Sequence, residues 1–301
     1  MGADANDESV QVPSQVEYER ATSVDHALTL LSRPDTRAVA GGHSLIPMMK
    51  LRLASPEMLV DINGLTELAF ISCDGDQLRI GALARHADLL EVAMASEHFG
   101  IFGDAERVVA DPVVRLWGTV GGSLCQADPS EDLSAAFAAA RATAVIRGLA
   151  GDRTVPVREF HLGPYETVIG PGELLAEVRV PVRPGTGSAY EKVARRVGDW
   201  SVAAAGAVLR LDGPPGQPVI TSAGIGLTAV GAAHFVAAQA EEFLLGRVAG
   251  PESFAAAGRI AAEHCHPVAD QRGPQDYKRH LVAELTTRAL RRAAARVTGG
   301  G

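Results

Sequence analysis

The sequence predicts a mixed α+β protein, in which two α/β subdomains precede a C-terminal α+β domain built on a three-stranded sheet. Three observations predict this. Between residues 16 and 180 helical and strand periodicities alternate, the order of units that cover a sheet with helices. A cluster of Pro181, Pro184, Gly185 and Gly187 then interrupts both periodicities. Beyond it come three strand patterns followed by three helical ones. The chain therefore divides into a disordered tail over 1–15, an N-terminal domain over 16–180 (subdomains 16–62 and 63–180) and a C-terminal domain over 188–301.

Each element has a local reason. Ser23 is placed to cap a helix whose Val24, Ala27, Leu28, Leu30 and Leu31 share a face and which stops near Pro34. A strand over 37–40 runs into Gly41 and Gly42, and Leu45 opens a second helix. Pro47 falls in that helix's first turn, where a missing N–H does no harm. A strand over 59–62 is closed by Asn63 and Gly64. A strand over 78–82, helices over 84–95 and 101–109, and a glycine-rich segment over 118–123 follow. Residues 133–141 are helical in pattern, with strands over 144–147 and 173–180. After the Pro/Gly cluster, strands are expected over 189–195, 202–211 and 219–228, and helices over 233–245, 252–264 and 275–297.

Composition excludes several function classes. With 47% apolar and 21% charged residues the chain is not wholly disordered. A net charge of −8 with no basic stripe argues against nucleic-acid binding, which needs clustered Lys and Arg. Cys73, Cys125 and Cys265 are scattered and form no C-x-x-C pair, so neither a disulfide framework nor an iron–sulfur cluster is expected on this chain. The acidic, polar first residues resemble no signal or transit peptide. The alanine-rich stretch 134–150 is broken by Arg141 and Arg147, so no membrane span is expected and the sequence points to the cytoplasm.

Two glycine segments carry the chemistry. In Ala40-Gly41-Gly42-His43-Ser44-Leu45 a strand gives way to a helix. The glycines allow close backbone approach, Ser44 is able to cap, and first-turn N–H groups are free to take an anion such as pyrophosphate. The alternative is a plain strand–helix turn capped by serine. The second segment combines Thr119, Gly121, Gly122 and Ser123 with Asp128 and Asp132, two acids straddling a helix start. Such acids either accept N–H bonds at the helix N-terminus or bind ribose-type hydroxyls. Gly224-Ile225-Gly226-Leu227-Thr228-Ala229 matches a dinucleotide fingerprint, but strand character continues through it and no helix opens directly after it. His264-Cys265-His266 has metal-ligating residue types, yet adjacent ligands make awkward geometry and no fourth is near.

These segments resemble the paired FAD-binding motifs of a known family. A-G-G-H-S-L-I-P-M-M-K-L-R at 40–52 and G-T-V-G-G-S-L-C-Q-A-D-P-S-E-D-L at 118–133 are similar to those of the medium, flavoprotein subunits of molybdenum hydroxylases, carbon monoxide dehydrogenase type. Residues 190–200 resemble that family's Y-x-K-x-x-R-R-x-G-D followed by Phe or Tyr, and 270–290 resemble its C-terminal helix. The resemblance spans roughly 16–298. It implies a PCMH/vanillyl-alcohol-oxidase-type FAD fold, with FAD as cofactor. The backbone of Ala40, Gly41, Gly42, His43, Ser44 and Leu45 would hold the pyrophosphate, with His43 near the cofactor. Residues Thr119, Gly121, Gly122 and Ser123 would line the flavin and ribityl side, and Asp128 and Asp132 are the acids of that motif, Asp132 binding cofactor hydroxyls. The backbone near Leu174 and Leu175 would meet the other flank. Lys192 would place a cation by reduced flavin; its alternative is an ordinary exposed lysine.

The sequence departs from the family at three places. Arg115-Leu116-Trp117-Gly118-Thr119 stands where R-N-x-G-T is usual, Ser123 where Asn is usual, and Trp200 where Phe or Tyr is usual. The resemblance implies a flavin-carrying electron-transfer oxidoreductase subunit. Its partners would be a large molybdenum-cofactor subunit and a small subunit with two 2Fe–2S clusters, as a dimer of heterotrimers. Electrons would leave to NAD⁺, a quinone, a cytochrome or O₂. The competing readings are a free-standing flavin-dependent oxidoreductase of the same fold and a non-catalytic subunit that has lost FAD.

Overall fold

The computed structural model describes residues 12–94, 99–214, 216–297 and 299. Residues 1–11 of the expected tail, and residue 95 at the end of the expected helix over 84–95, lie outside the described residues.

The chain begins with β1 (Glu17–Arg20), α1 (Val24–Leu31), β2 (Thr36–Val39), α2 (Leu45–Lys50) and β3 (Met58–Asp61). The Ser23 hydroxyl accepts the His26 N–H at 3.1 Å, and α1 buries the five apolar residues its spacing marked out. The strands form a small parallel sheet with β3 in the middle, Leu59 opposite both Tyr18 and Arg37. Each crossover is helical, and the β2–α2 crossover opens with the first glycine turn. The core under α1 extends to Leu174 and Ala176, so the small sheet rests on the next unit.

That unit comprises β4 (Ile71–Asp74), β5 (Gln77–Gly81), α3 (His86–Met94), α4 (Gly100–Val108), α5 (Pro112–Trp117), α6 (Val120–Gln126), α7 (Asp132–Ala139), β6 (Thr143–Gly148), β7 (Gly151–Pro156), α8 (Val157–Phe160), β8 (His161–Gly163), β9 (Glu166–Thr167) and β10 (Glu173–Pro181). Five strands form an antiparallel sheet in the order β4-β5-β10-β6-β7, and β8 pairs with β9. Its core joins sheet residues such as Ile80, Ile146 and Val178 to Phe102 and Phe137 of the helices. Among these elements β4, α5, β7, α8, β8 and β9 go beyond the sequence expectations, and the expected glycine-rich segment is largely the body of α6.

The last unit is an antiparallel meander of β11 (Thr186–Ala194), β12 (Ser201–Asp212) and β13 (Val219–Thr228), followed by α9 (Ala238–Leu244), α10 (Pro251–Glu263) and α11 (Gln275–Val297). Helices α9–α11 close a core on one face of the meander. On its other face α7 lies directly against β13. A Cβ on Gly226 would sit 2.6 Å from the carbonyl carbon of Ala135, and one on Gly224 3.0 Å from that of Ala139. The G-x-G-x-x-A pattern is therefore a strand kept bare for helix packing. An ionic cluster around buried Asp104 also joins the units: Asp104 of α4 takes Arg292 and Arg296 of α11 at 3.0 and 2.7 Å and accepts the Tyr190 N–H at 3.1 Å. This fixes β11, and with it Lys192, against the second unit.

Candidate functional site

A cleft of about 980 Å³ runs between the parallel sheet, α6 and α7, and the β11–β12 connection. That is the upper end for small-molecule sites and suits an extended ligand. It is lined by Ala40, Gly41, Gly42, His43, Ser44, Leu45, Thr119, Gly121, Gly122, Ser123, Asp132, Leu174, Leu175 and Lys192, so two turns far apart in sequence meet around one space.

The first turn leaves its backbone donors unspent. Gly42 has φ +75°, a conformation that costs other residues about 1 kcal/mol or more. Gly41 is bare because the second turn touches it: a Cβ there would lie 2.8 Å from Gly118 Cα. The N–H groups of Gly41, Gly42, His43, Ser44 and Leu45 meet no acceptor among the described residues. Ser44 does not cap through its hydroxyl, contrary to the capping expectation, so nothing internal competes for those donors. Successive free N–H groups on a concave turn form an anion-binding nest. His43 lies on this wall with an exposed side chain.

The second turn uses its donors internally. Val120 and Gly121 donate to Ala84 O and Ala82 O at 2.9 Å, Gly122 to Thr119 Oγ1 at 3.0 Å and Ser123 to Thr119 O at 3.0 Å. Thr119 is the N-cap of α6. Gly121 is bare because Ala82 lies behind it: a Cβ would stand 2.7 Å from Ala82 O, so a side chain here would strike the backbone of the turn after β5. This segment is a rigid wall rather than a second anion nest.

The acids sort themselves by reach. Glu131 is the α7 cap: its Oε1 accepts from Leu133 N at 2.8 Å and from the Ser123 hydroxyl at 2.5 Å, and its Oε2 from Ser134 N at 2.6 Å. Burial pushes its carboxyl up, against the pull of those donors. Asp128 is not among the lining residues; it accepts Ser130 N at 2.8 Å and the Tyr165 hydroxyl at 3.0 Å, and so supports Tyr165, which does line the cleft. Asp132 accepts from Tyr190 OH at 2.9 Å, Ser201 Oγ at 2.8 Å and Lys192 Nζ at 2.7 Å. Burial, then the Asp132 charge, hold the Tyr190 phenol well above its usual range, so it remains a donor.

Lys192 is not an ordinary exposed lysine: its side chain is 4% exposed, paired with Asp132 and donating to Val108 O at 3.0 Å. A buried ammonium on the wall of a ligand cleft is a fixed positive charge. A second buried pair, His86–Glu106, lies beside it, with His86 Nδ1 3.0 Å from both Glu106 oxygens and the imidazole on the cleft wall. Burial alone would lower this imidazole; the Glu106 carboxylate outweighs it and holds the pKa above the usual value. Burial pushes the Cys125 thiol up to about 12, so it is an inert wall group.

His86, Glu131, residues 31–39, Tyr165, Glu166, Thr167, Ile169, Gly170, Pro171, Glu173 and Gly198 also line the cleft, and sequence reasoning did not mark them. Only Glu131 had a local signal, since it stands one residue before the helix start. The rest arrive through sheet topology. Trp200 lines the mouth. Cys265 is in the C-terminal core, its thiol donating to Ala262 O at 3.2 Å, and His264 Nδ1 lies 2.9 Å from Ile260 O. Among the described residues no three His, Cys, Asp or Glu groups could hold a metal, and no helix is long and apolar enough to cross a membrane.

Comparison with known proteins bears on this geometry. Residues 14–183 match the family described as FAD binding domain in molybdopterin dehydrogenase, and residues 188–293 the CO dehydrogenase flavoprotein C-terminal domain. The carbon monoxide dehydrogenase medium chain of Hydrogenophaga pseudoflava is 38% identical over 95% of this chain and 99% of that one. The glyceraldehyde dehydrogenase medium chain of Sulfolobus acidocaldarius is 33% identical over 94% and 99%. A solved Hydrogenophaga pseudoflava carbon monoxide dehydrogenase, in a form lacking the Mo-pyranopterin moiety, superposes with a TM-score of 0.90 at 39% identity over 95% of this chain and 99% of that one.

Proposed function

The chain belongs to the family of FAD-binding flavoprotein subunits of molybdenum hydroxylases, and on that premise we propose that it is the flavin-bearing electron outlet of such a complex. One observation carries the reading on this chain's own residues: five consecutive residues whose N–H groups meet no acceptor among the described residues, Gly41 to Leu45, line a cleft large enough for a dinucleotide.

The residues fit FAD in three respects. The 40–45 nest suits the pyrophosphate, its donors already oriented and unspent. The α6 wall over Thr119–Ser123 is held by three backbone–backbone hydrogen bonds and the Thr119 cap, so it offers a fixed surface for the flavin and ribityl side. Lys192, held by Asp132, places a positive charge where negative charge would accumulate, and Asp132 acts by holding that ammonium, its own oxygens being engaged by three side chains. FAD, when bound, supplies the ability to take electrons singly and give them up in pairs. Asp128 contributes through Tyr165, and Leu174 and Leu175 by their backbone flank.

In this reading the FAD-binding domain spans 16–180 and the flavoprotein C-terminal domain 188–301. The donors are 2Fe–2S clusters on a small partner subunit, fed by a large molybdenum-cofactor subunit, the three chains assembling as a dimer of heterotrimers. Three unpaired cysteines suit a reducing compartment, the cytoplasm. Relatives named for carbon monoxide and for glyceraldehyde show that the substrate class does not follow from this subunit. The test is affinity purification of the tagged chain from its own cells. Co-purifying subunits that carry molybdenum and iron–sulfur clusters are expected. A lone, active yellow protein would support a free-standing flavin enzyme instead, and a colourless one a subunit without FAD.

A further inference from the structure

We propose that Asn63 and Arg85, which lie behind the cleft rather than on its wall, form a clamp that sets the spacing of its two turns and thereby the tightness of FAD binding. The proposal rests on the FAD reading above and names positioning residues for it.

The clamp is a continuous chain of bonds. Asn63 Nδ2 donates to Ala40 O at 2.6 Å and to Asp61 Oδ1 at 2.9 Å, and Asn63 N–H donates to the same Asp61 oxygen at 2.8 Å. Asp61 is itself fixed, accepting the Tyr18 hydroxyl at 2.5 Å. From the other side Arg85 Nη2 donates to Asn63 Oδ1 at 3.2 Å, while Nη1 donates to Trp117 O. The Arg85 backbone pairs with Thr119 as an isolated antiparallel bridge and is tied to Asp88 at 3.1 Å. One amide and one guanidinium thus connect the carbonyl of Ala40 in the first turn to the carbonyl of Trp117 in the second.

Those two carbonyls are where control is needed. A trans peptide is planar, so its C=O and N–H point in opposite directions. Holding Ala40 O behind the turn aims the Gly41 N–H, the first donor of the nest, forward into the cleft. Trp117 O is the atom on which bare Gly41 packs, so its position sets how closely the turns approach. Asn63 fits because the position needs a donor toward Ala40 and an acceptor toward Arg85, and a side-chain amide offers the two on separate atoms. Arg85 fits because a planar fork reaches two acceptors at once, which an ammonium on a flexible stem does not. Arg85 also makes no ion pair among the described residues, so its bonds to Asn63 and Trp117 are its use here.

The test is FAD titration of the full-length apo chain, wild type against Asn63→Ala, Arg85→Lys and the double variant, followed by flavin fluorescence, the visible circular dichroism of bound flavin and thermal melts with and without FAD. Each single variant is expected to bind FAD on the order of tenfold more weakly and to alter the circular dichroism signal. The double variant should be no weaker than the poorer single one within about twofold, because either change opens the same chain of bonds. The melting gain on adding FAD should shrink more than the apo melting temperature falls. Wild-type affinity in either single variant would overturn the clamp. So would additive losses, full rescue by lysine, or an apo melting loss that accounts for the whole effect. If the wild-type chain binds no FAD, the flavin reading fails; if it binds and the variants bind equally, only the clamp does.

Discussion

Lys192→Met keeps the length and apolar stem of the side chain and removes its ammonium. Lys192 and Asp132 are 4% and 6% exposed and 2.7 Å apart, so the change leaves a carboxylate stranded in a buried site. Removing one partner of a buried pair costs about 3–5 kcal/mol. Here Asp132 Oδ1 keeps the Tyr190 and Ser201 hydroxyls at 2.9 and 2.8 Å, which places the cost near the lower end, about 3 kcal/mol. At roughly 2–4 °C per kcal/mol for a protein of this order of size, the melting temperature should fall by about 6–12 °C near neutral pH. Urea unfolding near neutral pH reads this directly. Adding Asp132→Asn, which removes the stranded charge, should recover about 1–2 kcal/mol at pH 8. A loss below ~1 kcal/mol would refute the view of Lys192 as a buried charge locked to Asp132.

Three further outcomes are expected. Gly41→Ala should cut flavin content per purified chain severely, since its Cβ would meet Gly118 Cα at 2.8 Å, and backbone cannot swing aside as a side chain would; full flavin content would contradict the touching turns. Glu106→Gln removes the carboxylate that raises His86. That stabilisation is fully present below the unfolded pKa of ~6.5 and is lost as pH rises through the raised folded value. The variant should therefore lose on the order of 2 kcal/mol more at pH 6 than at pH 9, checked by urea midpoints. At pH 8 a maleimide should label exposed Cys73 in the native chain but reach Cys125, whose thiol is pushed up to about 12, and buried Cys265 only after unfolding, as peptide mapping would show.

Much of the fold was legible because its signals are local. Ser23, the Gly41–Gly42 pair, Pro47 and the 181–187 break each act through their own backbone, and the last three strands and three helices follow from periodicity. What escaped notice has two causes. The strand β7 carries charged, exposed residues and no alternating apolar face, so its pairing with β6 has no local trace. The helix α5 did have a signal, Asp111 as cap with Pro112 following, but no residue of it is buried and no apolar stripe announces it. Within the site the two turns were legible as glycine segments. Their different uses were not, because whether an N–H is free depends on which acceptors the fold brings to it: Ala82 O and Ala84 O to Gly121 and Val120, none among the described residues to 41–45. In the acidic run after Asp128 spacing alone could not choose the helix cap; Glu131, the residue directly before α7, takes that place and accepts two N–H groups. The burial of Lys192 is set by α4 and α7 packing on the meander, a contact between residues some sixty apart in sequence.

The central claim is that the five free N–H groups of the first turn and the cleft beside them hold FAD. Equilibrium dialysis of the full-length apo chain against FAD, with the bound flavin counted by absorbance, tests it most directly. One FAD per chain, displaced competitively by ADP through the shared pyrophosphate, is the expected result. A chain that binds no FAD, or binds it with no competition from ADP, would contradict the account.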